Sequence, residues 1–251
     1  MTRPLVCTIG TTDPWNAAGV GLDQRILWEC GARPALVVAA VSVQTMDGVE
    51  AVVDMEPETI QAQWNALATA SVAAVRVGAL CGEAATRAVA EILAATAAPS
   101  VYDPVFAATG GGRFADDATI AAARSVAVRA TIVTPNRSEA AALTGIPVES
   151  VDDMERAGNA LVAAGSNATL VTGGDARGDP VDVLVTRDGS ERFGARRIER
   201  EMRGTGCVLA ASLAAELAKG VRLRDAVMHA RAFVREKIAG AVLLGGAYVA
   251  E

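Results

Sequence analysis

Short runs of Val, Ile and Leu alternate with longer Ala-rich segments of helical period along nearly the whole chain. That alternation constrains the fold more than any single residue, because strands separated by helices pair in parallel and leave the helices to cover the sheet faces. The spacing predicts strands over residues 5–9, 35–43, 49–54, 73–77, 100–102, 131–134, 169–172 and 181–186. It predicts helices over residues 20–29, 57–68, 83–95, 116–128, 137–143, 152–164, 206–219 and 223–238. Asp152 reads as an N-cap, and Asp225 falls in an early turn where negative charge is favourable. Asp188-Gly189, between β-prone runs at 181–186 and 192–198, predicts a hairpin that breaks the parallel pattern late.

The chain has 251 residues, 51% of them apolar, enough to bury roughly three quarters of the unfolded surface. No Pro-, Ser- or charge-rich linker divides it, so residues 1–251 are expected to form one domain. The net charge of -6 is spread along the chain without a basic stripe, which argues against nucleic acid and anionic membrane as partners. Cys7, Cys30, Cys81 and Cys207 lie far apart and form neither a zinc pattern nor a disulfide framework. The apolar start is broken at Gly10, too soon for a signal peptide, and no stretch is apolar for long enough to span a bilayer. The expectation is a cytoplasmic protein acting on a small molecule.

In open α/β sheets ligands sit at the carboxyl ends of the strands, so the residues just after each strand carry the functional reading. The first strand runs into the small-residue loop Gly10-Thr11-Thr12-Asp13-Pro14-Trp15-Asn16-Ala17-Ala18-Gly19, which lets a ligand approach the backbone. Tyr102-Asp103-Pro104-Val105 puts a carboxylate at a strand end before a glycine-rich loop, a combination suited to magnesium and nucleotide phosphates. Asn136 and Glu139 stand three apart at a helix start, as a capping box or as ligands. Thr172-Gly173-Gly174-Asp175 is a further glycine turn.

The sharpest signal is Arg203-Gly204-Thr205-Gly206-Cys207, directly before an Ala-rich helix. Successive backbone N–H groups and the helix dipole make an anion site for a transferring phosphoryl group. Cys207 falls in the first turn, where a thiol is expected to have its pKa lowered and to act as a base; the alternative is a small buried residue that permits close packing. His229 reads as structural, Leu27, Trp28 and Met154 as core, and residues 191–201 as a solvated ribbon.

The order of these motifs resembles the hydroxymethylpyrimidine and phosphomethylpyrimidine kinases of thiamine biosynthesis, within the ribokinase-like superfamily, over nearly the whole chain. The resemblance rests on Gly10 to Gly19 with Asp23, Val43-Gln44-Thr45, Val77-Gly78-Ala79-Leu80, Asp103-Pro104-Val105, Thr134-Pro135-Asn136 with Glu139, Gly173-Gly174 and Gly204-Thr205-Gly206-Cys207. It implies a three-layer α/β/α sandwich with a central, mostly parallel sheet. It also implies ATP and magnesium as cofactors, and phosphorylation of the hydroxymethyl group of 4-amino-5-hydroxymethyl-2-methylpyrimidine or of its monophosphate. On that resemblance Gly10, Asp13, Trp15, Ala18, Asp23, Gln44 and Ala79 line the acceptor. Asp103, Asn136, Thr172, Gly174, Arg203 and Thr205 serve the nucleotide, Asp103 and Glu139 work through magnesium, and Gly204, Thr205, Gly206 and Cys207 are catalytic. A homodimer paired through residues 37–54 is expected by the same analogy.

The chain departs from the family pattern at several points. Trp15, Asn16 and Ala17 replace small residues of the first loop, and Ala79 replaces a methionine. Thr109 and Thr172 stand where lysines are usual, Asp175 replaces a histidine, and Arg203 replaces the histidine before Gly-Thr-Gly. Arg76, Arg113 and Arg203 are expected to supply the missing phosphate charge. Trp15 and Ala79 motivate a second reading, a kinase of another aromatic alcohol such as pyridoxal. The two lysine losses motivate a third, a non-catalytic pyrimidine-binding homologue.

Overall fold

The computed structural model describes residues 2–108 and 111–251. The first half runs β1 (Leu5–Thr11), α1 (Gly19–Glu29), β2 (Arg33–Gln44), β3 (Val49–Asp54), α2 (Pro57–Asn65), β4 (Val72–Val77), α3 (Glu83–Ala95), β5 (Ser100–Tyr102) and α4 (Asp117–Ala127). It continues with β6 (Ile132–Val133), α5 (Arg137–Thr144), α6 (Val151–Ala164), β7 (Ala168–Val171), β8 (Val181–Thr186), β9 (Gly189–Gly194), β10 (Met202–Arg203), α7 (Thr205–Ala218), α8 (Leu223–Gly240), β11 (Val242–Leu244) and β12 (Ala247–Val249).

Pairing follows the connections. Strands joined through helices are parallel, namely β2, β1, β4, β5, β6 and β7, whereas β3 and the β8–β9 hairpin, reached by loops, add antiparallel edges. The nine-stranded sheet has the order β3-β2-β1-β4-β5-β6-β7-β8-β9. Side chains alternate across it: Val6 packs with Leu22, Ile26, Val208 and Leu213 under α1 and α7, while Cys7 and Ile9 face Val89, Ile92 and Val126 of α3 and α4. Met154 and Ala157 of α6 close the far end over Val171, Val183 and Val185. The result is the expected three-layer α/β/α sandwich. Cys207 to Ala215 are buried without a break, so α7 is a central helix, and its amino end arrives at the carboxyl edge of the sheet.

Several expectations are corrected. The cap of α6 is Ser150, whose side chain accepts from the Asp153 N–H in a reciprocal capping box, and Asp152 lies inside the first turn. The β8–β9 turn is Arg187-Asp188, and Gly189 already belongs to β9, which ends at Gly194 rather than reaching residue 198. Helix α2 stops at Asn65. Trp28 is not core: it is 54% exposed and carries the Arg3 guanidinium over its ring at 3.9 Å. The small sheet β10-β12-β11 was not anticipated. Thr109, where a phosphate lysine is missing, lies outside the described residues.

The cap assignment predicts that Ser150→Ala lowers stability by about 1 kcal/mol. Asp152→Ala, which removes only an exposed pair with Arg192, should cost less than about half of that; urea unfolding of both variants checks it.

Candidate active site

The loop after β1 is held from within. Asp13 accepts from the Trp15 N–H at 3.0 Å through Oδ1 and from the Ala17 and Ala18 N–H groups at 3.1 and 2.9 Å through Oδ2. Its carboxylate therefore shapes the loop. Trp15 is left 42% exposed on the loop crest. Gly10 and Ala79 meet where β1 and β4 end: a Cβ on Gly10 would stand 3.6 Å from the Ala79 carbonyl, which itself accepts from the Thr11 hydroxyl at 2.9 Å.

Beneath this floor lies Arg76, 1% exposed. Nη1 pairs with Asp23 Oδ2 at 3.0 Å and Nη2 with Asp103 Oδ2 at 2.8 Å, while the Thr8 hydroxyl donates to the same Asp23 oxygen at 2.6 Å. Gly78 is needed for this fit, since a Cβ there would fall 1.7 Å from Nη1. Burial raises the Asp23 carboxyl to about 6 against the pull of Arg76 and Thr8, and burial likewise raises Asp103 against Arg76. One expectation changes: the Arg76 guanidinium is committed to the Asp23 and Asp103 carboxylates rather than to phosphate, with Asp23 wholly buried beside it.

The amino end of α7 opens directly above Asp103. Gly204 adopts φ +79, which favours glycine, and a side chain there would also meet the Ala17 carbonyl at 2.3 Å. A Cβ on Gly206 would lie 3.4 Å from Asp103 Oδ1. Thr205, Gly206 and Cys207 start the helix, and N–H groups in a first turn have no intrahelical acceptor. The amino end of α7 and the Asp103 carboxylate thus share one small space. Cys207, however, is not a lowered-pKa thiol. Burial pushes it up to about 12, with Asp23 and Asp103 adding and Arg76 and the Gly19 N–H opposing, so the sulfur keeps its proton at neutral pH. Desolvation outweighs the helix dipole.

At the start of α5 Asn136 and Glu139 form a complete capping box: Asn136 Oδ1 accepts from the Glu139 N–H at 2.9 Å, and Glu139 Oε2 accepts from the Asn136 N–H at 2.8 Å. Burial raises the Glu139 carboxyl to about 8, and Asp103 raises it further. Thr172 follows β7 and donates its N–H to the Pro135 carbonyl at 2.9 Å. Gly174 is exposed, with its carbonyl accepting from Arg197. Arg113 remains at the surface beside Asp117.

Arg203 donates to Gln44 Oε1 at 2.7 Å and to the Thr45 and Met46 carbonyls at 2.9 and 3.3 Å, so these donors are spent within the protein at the end of β2. Gln44 is buried, with Nε2 given to Ser42 Oγ. Sequence reading missed Ser42, Met46 and Gly245 as parts of this wall; the pair Gly245-Gly246 between two apolar triplets was the available signal, a two-residue hairpin turn.

Residues 13–250 match the phosphomethylpyrimidine kinase family. A hydroxymethylpyrimidine/phosphomethylpyrimidine kinase of Streptomyces coelicolor is 36% identical, covering 98% of this chain and 93% of its own. The chain belongs to the phosphomethylpyrimidine kinase family. Among solved structures, phosphomethylpyrimidine kinase from Clostridium difficile superposes with a TM-score of 0.82 at 26% identity over 93% of this chain and 99% of its own. An ADP complex of Bacillus subtilis pyridoxal kinase superposes with a TM-score of 0.91 at 25% identity over 99% and 97% of the two chains. Membership in the phosphomethylpyrimidine kinase family makes the protein a phosphotransferase of the ribokinase-like fold.

For this kinase Glu139 generates a pH dependence. Its folded pKa of about 8 lies above an unfolded value near 4.5, so the folded state holds the extra proton between those limits and stability falls as pH rises. Between pH 6 and 8 the ligand-free protein should lose on the order of 2 kcal/mol through this group. Glu139→Gln, which keeps the capping geometry, should flatten that segment in urea unfolding; an unchanged slope assigns it elsewhere.

Proposed function

We propose that this chain uses ATP to phosphorylate the hydroxymethyl group of 4-amino-5-hydroxymethyl-2-methylpyrimidine, its monophosphate, or both, with residues 1–251 working as one kinase domain. The observation that carries the reading is the Asp103 carboxylate set against the open amino end of α7, within a chain that matches the family over residues 13–250. Phosphoryl transfer leaves little covalent work to the protein, so positioning and charge do most of the catalysis. The N–H groups of Thr205, Gly206 and Cys207 stabilise the charge of the transferring group, and Gly206 leaves room for it. Thr172, Asn136 and Gly174 border the nucleotide side. The Cys207 thiol, protonated at neutral pH, acts by hydrogen bonding and by holding the Gly19 end of the acceptor loop against α7.

Asp103 and Glu139 fit magnesium. Both are hard oxygen donors, both are buried, and Asp103 disfavours the Glu139 charge, a strain that a divalent cation relieves. Among the described residues no group of three or more His, Cys, Asp or Glu forms a cage, which suits an ion that keeps its waters and phosphate oxygens. When bound, magnesium neutralises phosphate charge. Among the described residues no helix is long and apolar enough to cross a membrane, and a cytoplasmic setting belongs to the same reading. So does a homodimer: Val41, Val43 and Val53 expose one apolar face of the edge pair β2–β3.

The TM-score of 0.91 to a pyridoxal kinase supports pyridoxal as the second candidate acceptor. ATP-dependent transfer to the hydroxymethylpyrimidine, its monophosphate and pyridoxal decides between them. The pyrimidines are expected to turn over, with Gly206→Val losing about 100 to 1000-fold in kcat and Cys207→Ala losing no more than about 100-fold. Turnover of pyridoxal alone would move the acceptor, and no turnover by a folded protein would favour the non-catalytic reading.

A further inference from the structure

Arg203 is held by two elements at once. Its strand β10 leads into α7 and pairs with β12 in the register Arg203–Val249, which ties the C-terminal hairpin to the anion hole. Its guanidinium crosses to the end of β2, where Nη2 donates to Gln44 Oε1 at 2.7 Å and Nη1 to the Thr45 and Met46 carbonyls at 2.9 and 3.3 Å, with Asp13 Oδ2 at 4.0 Å from Nη2. Arginine has donors only, so this contact decides which end of the Gln44 carboxamide is oxygen. Nε2 is then turned to Ser42 Oγ at 3.0 Å and the Thr12 carbonyl at 3.4 Å. Both amide hydrogens are spent inside the protein. The remaining capacity of Gln44 is the second lone pair of Oε1.

We infer that Arg203 is a specificity-determining positioning residue: it locks the Gln44 carboxamide with its oxygen available, so that the pocket selects a ring bearing an N–H donor over one bearing an acceptor. The inference rests on the acceptor reading given above and names the ligand chemistry that reading requires, an exocyclic amine. A ring with a carbonyl at the same place sets lone pair against lone pair, and an unmatched polar contact in a buried site is costly. The same guanidinium pins the turn at Met46, against which the hairpin closes. A Cβ on Gly245 would lie 3.0 Å from Met46 Cγ and 3.5 Å from the Trp15 ring, so Arg203, Met46, Trp15 and the hairpin form one wall.

The test compares binding of 4-amino- and 4-oxo-5-hydroxymethyl-2-methylpyrimidine by calorimetry, with KM for ATP measured alongside. The unmodified protein should prefer the amine at least about tenfold. In Arg203→Met the amide is free to turn, and the preference should fall to within about threefold of unity while KM for ATP changes less than about twofold. Arg203→Lys, with one donor left for Oε1, should recover part of the preference. Gln44→Glu gives a second route: a carboxylate offers acceptors only, so the preference for the amine should persist. A wild-type preference in Arg203→Met, a loss of preference in Gln44→Glu, or a rise confined to KM for ATP would overturn the inference. If the unmodified protein binds neither ring, the acceptor reading itself fails and the inference falls with it.

Discussion

Arg76, buried between Asp23 and Asp103, joins the two halves of the site. Asp23 belongs to α1, which follows the loop after β1, and Asp103 follows β5 beside the amino end of α7. One guanidinium at 3.0 and 2.8 Å from the two carboxylates therefore fixes the distance between them. Gly78 has no side chain because that guanidinium occupies its place. Asp23 Oδ1 and Arg76 Nε have no partner among the described residues, so the cluster is not arranged for stability alone. Buried ion pairs seldom repay their desolvation, and this one carries two negative charges against one positive.

The imbalance matters for phosphate chemistry. Asp103 and Glu139 are both driven toward their neutral forms by burial, and Asp103 makes Glu139 harder still to ionise. A site poised in this way gains most from a ligand that brings positive charge, as a metal–nucleotide complex does. On the proposed reading, the amino end of α7 attracts a phosphate, and Asp103 beside it favours one that arrives with its cation. Cys207 is drawn into the same field, and its raised pKa follows from being buried beside two carboxylates.

Much of the fold was legible. Segments 49–54, 83–95, 100–102 and 181–186 were read to the residue, because β-branched runs and Ala-rich periods there agree with their tertiary surroundings. The helix start at Gly204–Cys207 and the Asn136–Glu139 cap were also visible, since both are local. The roles of Arg76 and Arg203 were not. They depend on contacts to residues 27 to 159 positions away, and a charged residue in a sequence does not announce its partner. Cys207 misled for a related reason: the helix start is local and the desolvation is not. The C-terminal hairpin was readable in Gly245-Gly246 and was overlooked because the segment is short.

The claim that Arg76 compensates Asp103 is tested most directly by a double-mutant cycle in urea unfolding. Arg76→Met should cost about 3 to 5 kcal/mol by leaving buried carboxylates uncompensated. Adding Asp103→Asn should recover at least about 1 kcal/mol of that loss, since the neutral amide no longer needs the guanidinium. A double variant as unstable as the sum of the two single changes would contradict the account.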